Sequence, residues 1–109
     1  MTKVRRFSDL PPASQRLVRA VERLRFGRID NLVLRDGAPV WSTRPEVVCE
    51  VKLGSPGGPR PARSDDFELS AHWVDLFERF AELGCGRVHR LEVQNGLPFR
   101  VAFDAADVV

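Results

Sequence analysis

Two stretches of this chain carry the same pattern of residues 59 positions apart. Shifted by that distance, residues 17–40 align with residues 76–99 without a gap. The identical pairs are Leu17 with Leu76, Leu24 with Leu83, Gly27 with Gly86, Arg28 with Arg87, Leu32 with Leu91, Gly37 with Gly96 and Pro39 with Pro98. Self-similarity at one fixed spacing is the signature of a repeated supersecondary unit. The sequence therefore predicts an internal duplication, so the fold must contain the same unit twice.

Each unit is predicted to be a helix followed by a β-hairpin. The apolar residues of the first helix recur at helical spacing, at Leu17, Val18, Val21 and Leu24. Asp36-Gly37 and Asn95-Gly96 each separate two strand-like runs, and such dipeptides favour a type I′ turn because both of its central residues need positive φ. In such a hairpin Pro39 and Pro98 cannot bond to a further strand on their outer side. We therefore expect both prolines at edges of the sheet.

The segment between the two repeats is predicted to contain a third strand and a loop. Over residues 46–53, apolar residues alternate with charged ones except at Val48, which favours a strand with one buried face. That face would consist of Val47, Cys49, Val51 and Leu53. Residues 54–64 are rich in Gly and Pro, which indicates a connecting loop.

The second helix is predicted at about residues 65–83. Ser64 is its expected N-cap, and Asp65, Asp66 and Glu68 would suit the positive end of the helix dipole. The expected buried stripe consists of Val74, Phe77, Phe80 and Ala81.

These elements predict a single α+β domain over residues 1–109, in the order α-β-β-β-α-β-β. The two tandem helix–strand–turn–strand units would occupy about 11–53 and 64–103, joined by the loop 54–64. We expect antiparallel strands with both helices packed on one face of the sheet. The residues expected to face the helices are Leu32, Leu34, Trp41, Leu91 and Val93. A length of 109 residues with 43% apolar side chains suits one domain.

The two cysteines and two histidines form no recognisable catalytic motif. Two Cys and two His match the stoichiometry of a zinc site, but no pair has the compact spacing of one. Cys85 and His89 would share a strand face two residue pairs apart, which is too far for a thiolate–imidazole pair. We expect Cys49 and Cys85 to be buried, reduced thiols. The sequence thus predicts no catalytic residue, no metal and no cofactor.

Charge is distributed unevenly, although the formal net charge is only +2. Residues 1–28 carry eight basic and two acidic side chains, whereas residues 64–85 carry six acidic and one basic. The candidate contacts to nucleic acid or another anion are Arg5, Arg6, Arg16, Arg19 and Arg23. Under the 59-residue shift, Arg19 and Arg23 correspond to acidic Glu78 and Glu82. The two helix faces could attract each other within the chain or across a homodimer.

The N-terminus carries charge without a following apolar stretch, and no apolar run reaches the ~20 residues of a membrane span. We therefore expect a cytoplasmic protein without a membrane contact. A double-stranded RNA-binding domain has a similar order of elements. Its second helix needs lysines where this chain has Asp65 and Asp66, which argues against that comparison.

A short helix, Phe26-Gly27, Ile29 and the Asp36-Gly37 turn form one continuous motif. This motif resembles the small, uncharacterised bacterial YezD-like proteins, in which Phe-Gly-Ser-[Val/Ile] leads into an alternating strand and an Asp-Gly turn. Arg28 stands where that family more often has Ser, and Cys85 replaces the Phe in the second unit. The resemblance covers about 25 residues. It implies a small α+β fold and brings no known activity.

The sequence favours a non-catalytic binding module, above all a protein-interaction or regulatory accessory protein. Its partner would be another protein or a second copy of the chain. The alternative is a nucleic-acid-binding protein that uses the basic N-terminal arm and the first helix.

Overall fold

The computed structural model describes residues 5–54 and 65–104. Within them the chain forms an α+β fold with two helices and an antiparallel five-stranded sheet. The helices are α1 (Pro12–Leu24) and α2 (Ala71–Leu83), and the strands are β1 (Gly27–Arg35), β2 (Ala38–Pro39), β3 (Glu46–Cys49), β4 (Gly86–Gln94) and β5 (Leu97–Phe103). Short 3-10 turns occupy Phe7–Asp9 and Trp41–Thr43. Residues 55–64 lie outside the described residues, and they include most of the predicted loop and the expected N-cap Ser64.

Strands β1 and β4 form the antiparallel centre of the sheet. Gly27 lies opposite Val93 at one end of the pair and Leu34 lies opposite Gly86 at the other. Strand β5 follows on the outer side of β4, whereas β2 and β3 lie one after the other along the outer side of β1. Pro39 and Pro98 are therefore on outer strands, at the sheet edges as predicted.

Both hairpin turns have the backbone that their sequences predict. Asp36 and Gly37 have φ values of 52° and 77°, and Asn95 and Gly96 have φ values of 54° and 71°. Positive φ at both central positions is what a type I′ turn requires.

One apolar cluster joins the helices to the sheet. All four apolar residues predicted for α1 are buried in it, together with Leu32, Leu34, Leu91 and Val93 of the central strands. Trp41 is partly buried against the same cluster, but it begins a 3-10 turn rather than continuing the hairpin strand. The outer strand beside β1 is therefore interrupted between β2 and β3, whereas β5 continues along β4.

The start of α2 corrects the sequence-based prediction. The helix begins at Ala71, with Ser70 as N-cap, six residues later than predicted. Asp65, Asp66 and Glu68 precede it. Phe67 and Leu69 are buried, and this segment is bonded to the N-terminal arm, because the Phe7 amide donates to the Phe67 carbonyl and the Leu69 amide donates to the Arg5 carbonyl.

The buried stripe of α2 is also shifted from the prediction. Trp73, Leu76 and Phe80 are buried, Val74 and Phe77 are partly buried, and Ala81 is exposed. Trp73, Leu76 and Phe80 are spaced by three and four residues, so they form one helical stripe that faces the core.

Strand β3 differs most from expectation. It ends at Cys49, so Val51 and Leu53 lie beyond it, and the predicted apolar face is not covered: Val47 and Val51 are each 50% exposed, and Leu53 is 91% exposed. Cys49 and Cys85 are unpaired and exposed, so the prediction of buried thiols was wrong. Cys49 is exposed because β3 is an edge strand bonded only to β1, and Cys85 lies in the connection between α2 and β4. The alternating pattern identified an apolar face of β3, but no described neighbour buries that face.

Candidate functional site

The five candidate arginines lie in two places. Arg5 and Arg6 belong to the N-terminal arm, and Arg16, Arg19 and Arg23 lie on the exposed side of α1. The Arg16 guanidinium lies 4.8 Å from the centre of the Trp41 ring, and that of Arg19 lies 4.9 Å from the centre of the Phe7 ring. These stacked contacts hold each side chain close to the protein surface.

The arm arginines have acidic neighbours that reduce their local charge. Arg6 Nε lies 2.8 Å from Asp66 Oδ2, and the Ser8 amide and hydroxyl also donate to the Asp66 carboxylate. The hydrogen bond from Arg6 is the main reason why the pKa of Asp66 falls to about 2, and it raises the pKa of Arg6 in turn. Asp9 accepts from the backbone amides of Arg5 and Arg6. The arm is therefore locally balanced rather than strongly cationic.

The oppositely charged helix faces do not pair within the described residues. No ion pair there joins Arg19 or Arg23 to Glu78 or Glu82, and Arg79 pairs instead with Asp75 of its own helix at 3.1 Å. Attraction of these faces across a homodimer stays a hypothesis.

A shallow groove lies between α1 and β3, and we call it the α1–β3 groove. It is lined by Ala20, Arg23 and Leu24 of the helix and Val47 of the strand. The Cys49 sulfur lies 3.8 Å from the Leu24 carbonyl oxygen at the end of the groove. Sequence reasoning missed this groove because it assigned Val47 to the core. The useful signal was the position of β3 after the last repeated residue, where no helix is available to cover it.

A second depression, the α2–β5 pocket, lies between the other helix and the other outer strand. Its lining residues are His72, Asp75, Leu76, Arg79, Leu91, Pro98, Phe99, Arg100 and Val101. Arg100 lies 5.5 Å over the Phe99 ring and 3.7 Å from the Glu92 carboxylate. No sequence pattern predicts this pocket, because residues of α2 meet residues of β5 only in the folded protein.

The sheet face centred on Asp30 carries charges that neutralise one another. Asp30 accepts from Arg28 Nε at 3.0 Å and from Arg90 Nε at 3.2 Å, and the Asp30 side chain is largely buried. Arg28 also lies 3.4 Å from Glu50. Each of these charges thus has a partner, so this face makes a poor anion site.

The histidines and cysteines are not brought together. His89 Nε2 lies 2.6 Å from the Asp104 carboxylate, a contact that lowers the pKa of Asp104. Among residues 5–54 and 65–104, no three or more His, Cys, Asp or Glu side chains form a group that could hold a metal ion. This observation does not test the sequence-based prediction that the protein has no cofactor.

Neither α1 nor α2, the two helices of the described part of the chain, is long and apolar enough to cross a membrane. Comparison with protein-family models, curated proteins and solved structures finds no match to this chain.

Proposed function

We propose that this protein is a non-catalytic protein-interaction module and that the α1–β3 groove is its binding surface. The observation that carries the proposal is a half-exposed apolar side chain, Val47, on an edge strand next to Arg23 of α1. Larger exposed apolar surface bordered by polar residues is typical of interaction sites, and Val51 and Leu53, shortly after β3, are exposed as well. The strand also contains no proline between Glu46 and Cys49, so its outer edge is open.

The groove favours an apolar partner segment with acidic residues beside it. Arg23 forms no ion pair with another described residue, and Arg19 lies one helical turn away on the same side of α1. Arginine is enriched at protein interfaces because its planar group binds carboxylates in a bidentate geometry. An apolar side chain against Val47, with a carboxylate on Arg23, would satisfy both features.

Binding to nucleic acid is the weaker candidate. Phosphate tracking needs several arginines that are free to neutralise successive phosphates. Arg6 is bonded to Asp66, and Arg16 and Arg19 are stacked on aromatic rings. This arrangement leaves fewer unengaged cations than the sequence alone predicts.

We also propose that the fold is a tandem duplication with both helices on one face of the sheet. Adding 59 to the bounds of α1 and β1 gives the bounds of α2 and β4. The Gly37 amide donates to the Gly84 carbonyl at 2.8 Å, and the Gly96 amide donates to the Arg25 carbonyl at 2.9 Å. These two bonds are equivalent under the same shift. Each hairpin turn is thereby fastened to the end of the helix of the other unit.

The duplication gives the resemblance to YezD-like proteins a structural meaning. The residues that carry it, from Phe26 to Gly37, run from the end of α1 through β1 to the hairpin turn. We propose that such a unit is the feature that this chain shares with YezD-like proteins. We also propose that the protein acts in the cytoplasm.

Site-specific crosslinking tests the proposed surface. A photoreactive benzoylphenylalanine in place of Val47 is expected to yield a covalent adduct with a protein after irradiation in cells. The matched control carries the same residue in place of Arg87, which is also exposed on a strand but lies outside the groove. An adduct of twice 12.3 kDa would identify a second copy of the chain as the partner.

A charge reversal completes this test. Arg23→Glu is expected to reduce the yield of the Val47 adduct by about tenfold, since interface arginines are frequent energetic centres. Arg87→Glu should leave the yield unchanged. Equal yields from the two crosslinker positions would contradict the proposal.

A salt titration separates the competing function. If the arginines bind nucleic acid, affinity for generic DNA or RNA must fall steeply with salt. We expect negligible binding of DNA or RNA even at low salt. A steep decrease of this affinity with rising salt would replace the protein-interaction proposal by the nucleic-acid one.

A further inference from the structure

The first unit contains a groove that its own tryptophan fills. The Trp41 indole N–H donates to the Ala13 carbonyl at 2.9 Å, and the Arg16 guanidinium lies over the ring. The indole also packs against the apolar cluster. It therefore occupies the space between the first turn of α1 and the broken outer strand.

The second unit has an open depression in the equivalent place. Under the 59-residue shift, Ala13 corresponds to His72, Arg16 to Asp75 and Leu17 to Leu76. A bulge at Phe99 moves the register of β5 by one residue: Arg100 pairs with Glu92 as Val40 bonds to Val33, so Val101 stands at the place of Trp41. All four of these second-unit residues line the α2–β5 pocket. The chain turns inward at Trp41 in the first unit but continues as β5 through Val101 in the second. Because valine is much smaller than tryptophan, Val101 leaves open the space that the indole fills in the first unit.

We propose that the α2–β5 pocket binds the indole side chain of a tryptophan from a partner polypeptide. This inference rests on the duplication proposed above but not on the α1–β3 groove. Leu76, Leu91 and Val101 supply apolar contacts, as the core does beneath Trp41. A helix carbonyl next to an apolar depression is a suitable site for an indole, which is apolar but has one N–H to satisfy.

The charges around the pocket indicate which residues should flank that tryptophan in the partner polypeptide. Asp75 pairs with Arg79 at 3.1 Å, whereas Arg100 lies over the Phe99 ring and makes an exposed contact of 3.7 Å to Glu92, which is outside the pocket lining. The excess is positive, with two arginines and one aspartate among the lining residues. A tryptophan flanked by acidic residues therefore fits better than one flanked by basic residues.

Titration of the isotope-labelled full chain, followed by amide chemical shifts, tests the pocket directly. The probe is N-acetyl-tryptophanamide, and N-acetyl-leucinamide is the control for simple apolar binding. We expect saturable shifts at His72, Leu76 and residues 99–101 with the first compound only. Absence of saturable shifts, or shifts elsewhere in the molecule, would overturn the proposal.

Two variants make the result specific. Val101→Trp, which places an indole at the place of Trp41, is expected to weaken binding at least about tenfold, because the site is then occupied. Arg87→Trp, an exposed strand change outside the pocket, should leave binding unchanged. A capped Glu-Trp-Glu peptide should bind more tightly than Lys-Trp-Lys at low salt, and the reverse order would refute the assigned partner chemistry.

Removal of the internal indole gives an independent outcome. Trp41→Ala should open the first groove and add a second set of shifts, at Ala13 and Leu17, when N-acetyl-tryptophanamide is added. The same compound should raise the melting temperature of this variant, since a ligand that binds only the folded state stabilises it. Shifts at the second pocket without any at the first would contradict the equivalence of the two sites.

Discussion

Gly27 and Gly86 occupy the same place at the start of β1 and β4 but have different neighbours. A Cβ on Gly27 would overlap the Val48 carbonyl oxygen and would lie 3.2 Å from the Cys49 Cα atom. The three atoms nearest to a Cβ on Gly86 would all belong to the Leu83 side chain, at 3.4 Å or more. The difference arises because β3 packs beside β1 at Gly27, which also has a φ of 150° that disfavours any residue with a Cβ.

We expect Gly27→Ala to lower the free energy of unfolding by about 3 kcal/mol, the upper end for overpacking a filled space. Gly86→Ala should cost less than about 1 kcal/mol, because a flexible side chain can move away. Urea denaturation of both variants measures these differences. Similar costs at the two positions would show that β3 is not placed beside Gly27.

Asp66 gives the N-terminal arm a defined pH dependence. Its pKa in the folded protein is about 2, below the ordinary value of 3.8, chiefly because Arg6 donates to the carboxylate. A folded-state pKa below the unfolded one means that the stabilisation is complete above about pH 4 and is lost as the pH falls towards 2.

The stability difference between the wild type and Asp66→Asn should therefore shrink between pH 4 and pH 2. Chemical denaturation at a series of pH values measures this difference, with Asp65→Asn as the control. A difference that stays constant over this range would mean that Asp66 does not bind Arg6 as described.

At the scale of the elements, local sequence patterns predicted the helix and the turns whose conformation depends on nearby residues. Apolar periodicity placed α1 correctly, and Asp-Gly and Asn-Gly located both hairpins, because helical spacing and turn conformation depend on nearby residues. The start of α2 was wrong since Phe67 and Leu69 alternate and pair with the arm, a contact distant in sequence. Both grooves also depend on distant contacts, so neither could be derived from the sequence.

Strand β3 also shows how far local sequence patterns can predict the structure. The predicted strand ran to Leu53 with Val47 and Cys49 buried, but the strand ends at Cys49, both residues are exposed, and Val48 on the opposite face is partly buried. Alternation does not say whether a neighbouring element covers an apolar face. The exposed Val47 and the buried Val88 lie opposite Ile29 and Leu32 of the same strand, β1. They therefore allow a comparison of an exposed valine on an edge strand with a buried valine on a central strand, both opposite β1.

Val88→Ala should lower the free energy of unfolding by about 2 kcal/mol, because Val88 is fully buried. Val47→Ala should cost less than about 1 kcal/mol, because half of this side chain is already exposed. Thermal and urea unfolding of both variants provide the comparison. A large cost at Val47 would show that the α1–β3 groove is closed and is not a binding surface.

At the scale of the whole molecule, the two proposed units hold each other in place. Strands β1 and β4 pair along their length, and each hairpin turn is bonded to the helix of the other unit. The N-terminal arm adds a third link through its pairing with residues 67–69. Neither unit has an apolar core of its own, because one cluster contains residues of both.

Native-state hydrogen exchange, measured amide by amide, tests this interlocked arrangement most directly. Exchange of the most protected amides in β1 and β4, and of the Gly37 and Gly96 amides, reports whether the units open together. We predict that β1 and β4 exchange with the same free energy, equal to that of global unfolding, and that both turn amides are protected. Exchange of one unit at a clearly lower free energy than the other, or an unprotected turn amide, would contradict the account.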